Sequence, residues 1–308
     1  MKSKINFLIG SLIIFTAIIW SAIFNRQSDQ SFHLYMLDVG QGMAIYIRFP
    51  DGFDVLYDGG PDDKILAELG DVMPAWDREI NLMISSHNHA DHLVGLIDVL
   101  EKYKVNEVWT SGAIHTTETY KKFLQAIDKS SAKLSACYVE MNGRSSLPCP
   151  SPDIPNGKIS ILYPFDNLTG QRPENQNNAS LVAKVEYGDT SILLPGEVEK
   201  EAEAEIAQHY SDVGADQRVR PKSDLQSDIL QSPHQGSHSS STADFLQAVD
   251  PTDVLIAVGA GNQYGHPHKD VLARYKNMGF NVYRTDLCGR IEVMADLNNY
   301  KIISNCPK

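Results

Sequence analysis

Residues 84–96 read ISSHNHADHLVGL, and positions 87–92 of that stretch hold His87, His89, Asp91 and His92. Neutral imidazole and carboxylate are the natural ligands of borderline divalent ions. In extended chain, residues two apart point to the same side, so His87 and His89 can share one ion. Asp91 and His92 fall where the chain turns into the next helix and can reach a second ion nearby. Of the ten histidines, seven lie in three short stretches, HNHADH, HQGSH and YGHPH. Histidines used singly, as surface or core residues, would not concentrate in this way.

Two ions need further ligands, and a carboxylate bridges well because it has two oxygens. The stretch SILLPGEVE offers Glu197 after an apolar run and a glycine. The other reading of Glu197 is that it caps a helix beginning near Val198, since acidic residues suit helix starts. In SPHQGSH, His234 follows the apolar DIL and is a candidate ligand, while His238 reads as a surface loop residue. His266 in NQYGHPHKDVL precedes a helix, a position suited to holding a phosphate or protonating a leaving group. His268 reads as the solvated start of that helix, and His33, His115 and His209 as residues without a chemical role.

The elements that must place these side chains alternate between strand and helix. HLYMLDV and AIYIRF read as strands around a Gly40–Gly42 turn, and DVLYDGG as a third strand ending in a glycine pair. INLMISS is an apolar strand, and in HLVGLIDVLEKY Leu93, Leu96, Ile97 and Leu100 share one helical face. NEVWTSG predicts a strand and TETYKKFLQAIDK a helix. Residues 142–157 are rich in Pro, Ser, Gly and Asn and read as a loop. SLVAKVEYGDTSILLPGE predicts a hairpin turning at Gly188–Asp189, with Leu181, Ala183, Val185 and Tyr187 on one face. EKEAEAEIAQHY predicts a helix, DVLIAVG a strand, HKDVLARYKNMG a helix ended by Gly279, and FNVYRTD and GRIEVMAD two closing strands. The class is α/β, with one domain over residues 31–308.

Residues 1–30 differ. After Lys2 and Lys4 the chain runs without charge from Ile5 to Phe24, about the length that spans a bilayer core,. The expectation is a single uncleaved transmembrane anchor with the rest of the chain outside the cytoplasm; the alternative is a cleaved signal peptide and a secreted protein. In that compartment Cys137–Cys149 and Cys288–Cys306 suit two local disulfides, although the other pairings stay open. The net charge of −12 and pI near 5.2 argue against a broad nucleic-acid-coating surface,. A local basic patch, Arg218, Arg220 and Lys222, lies upstream of His234, and a solvated loop explains it equally well.

The chain resembles the metallo-β-lactamase fold, and within it the soluble domain of the ComEC family of DNA-uptake proteins. The stretches LDVGQGMAIYI…DGFDVLYDGG, SSHNHADHLVGL, NNASLVAKVEYGDTSILLPGE, SPHQGSHSSS and VGAGNQYGHPHKDVLARYKNMGFNVYRTDLCGRIEV carry the likeness over about residues 34–295. It departs from the family pattern at Met43, where an aspartate is usual, at Glu197, where Asp is usual, and at Gln235, where a histidine is usual. The resemblance implies a four-layer αββα sandwich. It implies two divalent ions, zinc by default and manganese as the alternative, held by His87, His89, Asp91, His92, Glu197 and His234. Asn178, Ser180 and Ser237 are expected polar contacts to substrate, and Asp38, Asp58 and Gly59 structural residues. The channel-forming membrane domain of the uptake proteins is not among the matched stretches, and one anchor helix is expected instead.

The activity the resemblance implies is hydrolysis of a phosphodiester, in particular of incoming DNA, by a metal-bridging hydroxide, with Asp91 and His266 as catalytic residues and His266 serving the leaving oxygen. Two other readings stand beside it. One is a binding or scaffold module weakened in catalysis by Met43, Glu197 and Gln235; the other is a hydrolase of small esters or lactones. The expected partners are a membrane and DNA or another phosphodiester.

Overall fold

The computed structural model describes residues 2–26, 31–139, 149–212 and 224–306. The basic patch Arg218, Arg220 and Lys222 and residues 142–148 of the 142–157 loop lie outside them. Two compact units are present, residues 1–31 and 32–308. The first is a helix, α1 (Lys2–Arg26), with Phe7, Leu8 and Phe15 exposed. Among the described residues no helix is long and apolar enough to cross a membrane.

In the second unit β1 (Phe32–Met36), β2 (Ile45–Arg48) and β3 (Asp54–Tyr57) lead through α2 (Lys64–Val72) to β4 (Glu79–Ile84). Then come α3 (Ala90–Lys102), β5 (Lys104–Thr110), α4 (Glu118–Ser130) and β6 (Lys133–Ala136). The second half runs β7 (Gly157–Tyr163), β8 (Val182–Tyr187), β9 (Thr190–Leu194), α5 (Lys200–Asp212), β10 (Ile229–Gln231), α6 (Ala243–Val249), β11 (Asp253–Ile256) and α7 (Lys269–Met278). It closes with β12 (Asn281–Arg284), the short α8 (Thr285–Cys288), β13 (Ile291–Ala295) and β14 (Tyr300–Ile303).

These strands form two sheets, β14-β13-β1-β2-β3-β4-β5-β6 and β12-β11-β10-β9-β8-β7. The runs β3 to β6 and β9 to β12 are parallel, and the remaining pairs antiparallel. Parallel neighbours need crossovers, and α2 to α4 supply them in the first sheet and α5 to α7 in the second. Three apolar layers result. Between the sheets pack Leu34, Ile47, Tyr57 and Ile84 against Leu181, Ala183, Val185 and Ile192. The outer face of the first sheet meets Leu93, Leu96 and Phe123, and that of the second meets Ile206, Phe245 and Tyr275. This is the four-layer αββα sandwich. The odd residues 181–187 face the partner sheet and Val182 faces the helices, because side chains alternate along a strand that is covered on both faces,.

Both disulfides form by the local pairings, Cys137–Cys149 with Cα atoms 5.4 Å apart and Cys288–Cys306 at 4.1 Å. The second ties the chain end beyond β14 to α8 and the edge of the sandwich.

Candidate metal centre

Every candidate ligand sits just beyond the carboxyl end of a strand in the parallel parts of the sheets, where open α/β sheets place their ligands. Asp58 follows β3 and the His87–His92 stretch follows β4. Glu197 follows β9, His234 follows β10, and His266 lies in the connection from β11 to α7. The first sheet thus contributes the histidine motif and the second contributes Glu197.

Two close backbone approaches fix the motif. Gly59 and Gly95 touch where the β3 end crosses α3: a Cβ at Gly95 would fall on the Gly59 carbonyl oxygen. Gly59 N–H also donates to the His92 carbonyl at 2.9 Å. Asp58, His234 and Gln235 have φ of 57°, 48° and 54°, left-handed conformations that cost non-glycine residues about 1–2 kcal/mol each,. All three bring side chains into one site, which is where such strain is found.

Among the described residues two groups of ligand atoms lie close enough to hold an ion, His87, His89 and Glu197, and Asp91, His92 and Glu197; within each group all atoms are within 4.8 Å of one another. Glu197 belongs to both. One oxygen lies 3.3 Å from His87 Nε2 and the other 3.1 Å from His92 Nε2. The residue is 3 % exposed, and its carboxylate faces these two imidazoles, a placement that suits a ligand. His87 and His89 approach at 3.1 Å between Nε2 and Nδ1, as the two-residue spacing requires.

A second layer orients these groups. Asp58 Oδ2 lies 2.7 Å from His92 Nδ1, leaving Nε2 directed at Glu197 and Asp91. Asp58 also accepts from the Ser86 N–H and hydroxyl, and Ser86 Oγ lies 2.9 Å from His87 Nδ1. Such carboxylate–histidine pairs fix the tautomer and ring orientation of a metal ligand. Tyr57, one residue earlier, donates across to the carbonyls of Leu181 and Leu194 in the other sheet, at 2.6 and 3.1 Å.

Gln235 donates through Nε2 to Glu197 Oε1 at 2.8 Å and to Asp91 Oδ2 at 3.3 Å, and its Oε1 accepts from Gln41 at 2.5 Å. Gln41 in turn accepts from the Gly259 N–H. This glutamine relay joins four loops. The GQG and HQGS stretches carry its two members, but nothing in their spacing announces that they meet.

The remaining candidates fall nearby with other contacts. His234 Nε2 is 3.7 Å from Glu197, while its Nδ1 faces Glu199 at 3.2 Å and Ser239 at 3.1 Å, so it stands beside the two ligand groups. Ser180 is fully buried and its Oγ accepts the Glu197 N–H; Asn178 Oδ1 accepts the Glu199 N–H. Both bonds brace the Glu197 loop. Ser237 Oγ pairs with Ser239 Oγ at 3.0 Å, and Asp38 faces Lys64 at 3.3 Å. Met43 is buried at 1 % exposure in the layer between the sheets. His115, given no chemical role by the sequence, lies with its ring 6.2 Å from His89 and lines a cleft of about 410 Å³ with Arg172, Pro173, Glu174 and Gln176. Gln176 accepts from Asn88, inside the histidine motif, which ties this cleft to the site.

Charge is strongly redistributed here. Burial opposes a charge on His92, but Glu197 and Asp58 outweigh it and hold its pKa well above the usual value. Burial likewise opposes the Glu197 carboxylate, and His92 and His87 outweigh it and hold that pKa well down. Burial and neighbouring histidines push His89 and His266 down to about 4. His266 is therefore neutral near pH 7. Its Nδ1 is buried without a hydrogen-bond partner among the described residues, and its ring lies 5.7 Å from that of His234.

The donor set fits a pair of divalent cations. It offers imidazole and carboxylate in two groups, a shared buried carboxylate between them, and a second carboxylate behind one imidazole,. The same groups hold a proton on His92, which a cation would have to displace.

The chain is 25% identical to ComE operon protein 3 of Bacillus subtilis over 276 residues, 83% of this chain and 32% of that protein. It is 27% identical to recombination protein 2 of Haemophilus influenzae over 297 residues, 95% and 32% of the two chains. It is 30% identical to competence protein ComA of Neisseria gonorrhoeae over 264 residues, 83% and 31%. The chain thus spans about a third of the length of these relatives, and its likeness to ComEC-type competence proteins is to that third. The profile of the Metallo-beta-lactamase superfamily matches residues 37–259, most of the chain, and the chain belongs to that superfamily.

Proposed function

We propose that the chain is a metal-dependent phosphodiesterase of nuclease type, working on the DNA that competence proteins handle. The observation that carries this reading is Glu197, a buried carboxylate common to both ligand groups. His87 and His89 would hold one ion, and Asp91 and His92 the other. A pair of divalent ions supplies Lewis acidity toward a phosphoryl oxygen and lowers the pKa of water toward neutrality. Zinc is the first expectation from the nitrogen ligands, and manganese the second.

The protein's own groups do the rest. Asp58 holds His92 through Nδ1 and so directs Nε2 inward. Gln235 holds Oδ2 of Asp91 and Oε1 of Glu197 with one amide. His266, neutral and bordering the site, takes the proton of the attacking water and returns it to the leaving oxygen. Arg172 in the adjoining cleft offers a cation to a neighbouring phosphate, which an acidic chain needs near its site.

Residues 1–30 are proposed to anchor the domain at the outer face of the cell membrane. The charge-free run from Ile5 to Phe24 and the exposed apolar side chains of α1 support this,. One observation favours the second reading, a binding module. Gln235 occupies a position beside both ligand groups, and an amide is a poor metal ligand compared with imidazole. One experiment separates the two: the full chain is purified metal-replete, its ion content measured, and its hydrolysis of single-stranded DNA, duplex DNA and a simple phosphodiester assayed. About two ions per chain with cleavage supports the phosphodiesterase. Ions with no turnover on any of the three substrates supports the binding module.

A further inference from the structure

The loop between β11 and α7 presents an aromatic ring to solvent beside the site, and no step of the chemistry above uses it. Beyond the N-terminal helix, the exposed Phe, Tyr and Trp side chains among the described residues are Trp76 and Tyr264. Tyr264 is 58 % exposed, and its ring lies over that of His266 with centroids 5.8 Å apart and planes 26° apart. His266 in turn contacts His234, whose Nε2 faces Glu197. The ring therefore stands two side chains away from the shared carboxylate.

Its position is fixed. Asn262 Oδ1 accepts the N–H groups of both Tyr264 and His266, at 3.2 and 3.0 Å. Asn262 Nδ2 donates to the carbonyls of His266 and Gly259, at 2.7 and 3.0 Å. Gly259 is itself bound to Gln41 of the glutamine relay. A pre-positioned, solvated aromatic face next to a phosphoryl site has a natural occupant, a planar heterocycle attached one sugar away from the phosphate. Every nucleobase has such a face, and stacking on an aromatic side chain recognises it without reading its edges. Burying the ring against a base also removes apolar surface from water.

We infer that Tyr264 is a stacking platform for a nucleobase adjoining the scissile phosphate, so that the site selects a nucleobase-bearing strand over a bare phosphodiester. The inference rests on the phosphodiester reading of the metal site and adds to it what the substrate must carry. It makes Tyr264 a specificity residue without a part in bond breaking.

The test measures binding. The zinc-loaded chain is titrated into a short fluorescein-labelled phosphorothioate single strand, which resists hydrolysis, and into an abasic strand of the same length. Anisotropy should show the base-bearing strand bound roughly tenfold more tightly, the weight of one stacked base. Tyr264→Leu, similar in bulk and without a π face, should abolish that preference, and Tyr264→Phe should keep it. Thermal unfolding of the variants confirms that they fold. Absence of preference in the wild type, or the same preference in Tyr264→Leu, overturns the inference. A ring that merely shields His266 would leave binding of the two strands alike and slow cleavage of both. Base-selective binding without cleavage of the ordinary phosphodiester strand would refute the hydrolytic reading and leave the platform standing.

Discussion

Replacing Glu197 by Gln keeps the shape of the side chain and removes one charge. That charge faces His92 at 3.1 Å and His87 at 3.3 Å, with 3 % of the residue exposed. Breaking a buried charge pair costs about 3–5 kcal/mol. The lower end applies here, because His92 retains Asp58 at 2.7 Å. At roughly 2 °C per kcal/mol for a unit of this size, the melting temperature in chelator should fall by about 6 °C. With zinc present the gap should widen. Anything that binds only the folded state stabilises it by mass action, and the variant has lost the ligand common to both groups. Elemental analysis should show at least one ion lost, and cleavage of a phosphodiester should disappear. Glu197→Asp should retain metal. A residue that only supports a helix start would cost about 1 kcal/mol or less and leave ion content unchanged. Full ion loading with wild-type turnover in Glu197→Gln would refute the shared-ligand argument.

Other outcomes follow from the same geometry. Asp58→Asn should lower zinc affinity by roughly 10–100-fold while leaving all ligands in place, as isothermal titration would show. The His92 pKa is raised, so its stabilising contribution is complete below its ordinary 6.5 and is lost as pH rises through the raised value,. The Glu197 pKa is lowered, so its contribution is present above its ordinary 4.5 and is lost as pH falls through the lowered value,. Chelator-treated protein should therefore melt highest between about pH 4.5 and 6.5, and zinc affinity should rise with pH because the ion displaces the His92 proton; a flat pH profile of zinc affinity would contradict this. Non-reducing mass spectrometry should find Cys288 bridged to Cys306, and reduction of this 18-residue loop should cost about 3 kcal/mol of stability,. Gly95→Ala should destabilise by more than about 1 kcal/mol in chemical denaturation, because its methyl group meets the Gly59 backbone first and at the closest approach,.

The parts of the site readable from the sequence are those whose geometry is local. The spacing of His87 and His89 brings their two rings within 3.1 Å of each other because extended chain has a period of two,. The alternation in 181–187 gives the face that packs on the other sheet for the same reason. The parts that could not be read depend on contacts between distant residues. Gln41 and Gln235 are 194 positions apart, and Asp58 and His92 are 34 apart, so no spacing rule joins them. The protonation of His266 depends on burial and on neighbouring histidines, which only the folded loops determine. The edge strands β6 and β14 escaped notice because their sequences, KLSA and YKII, are short and half-exposed, with little buried apolar pattern. The helix α2 lies in a stretch where Asp62, Asp63 and Lys64 suggest a loop, and only Ile65 and Leu69 are buried to mark its inner face.

One feature of the assembly reaches beyond catalysis. The histidine motif hangs from one sheet and Glu197 from the other, and Tyr57 pins the two together directly beneath them. Ions held between these groups would act as a clip across the seam of the sandwich, and affinity for them would gauge how well the halves are docked. A core substitution that touches none of the ligands themselves, such as Tyr57→Phe, would then appear first as lost metal. Screening such a protein for metal-deficient variants would recover packing mutants alongside ligand mutants, and added zinc would rescue the packing mutants selectively.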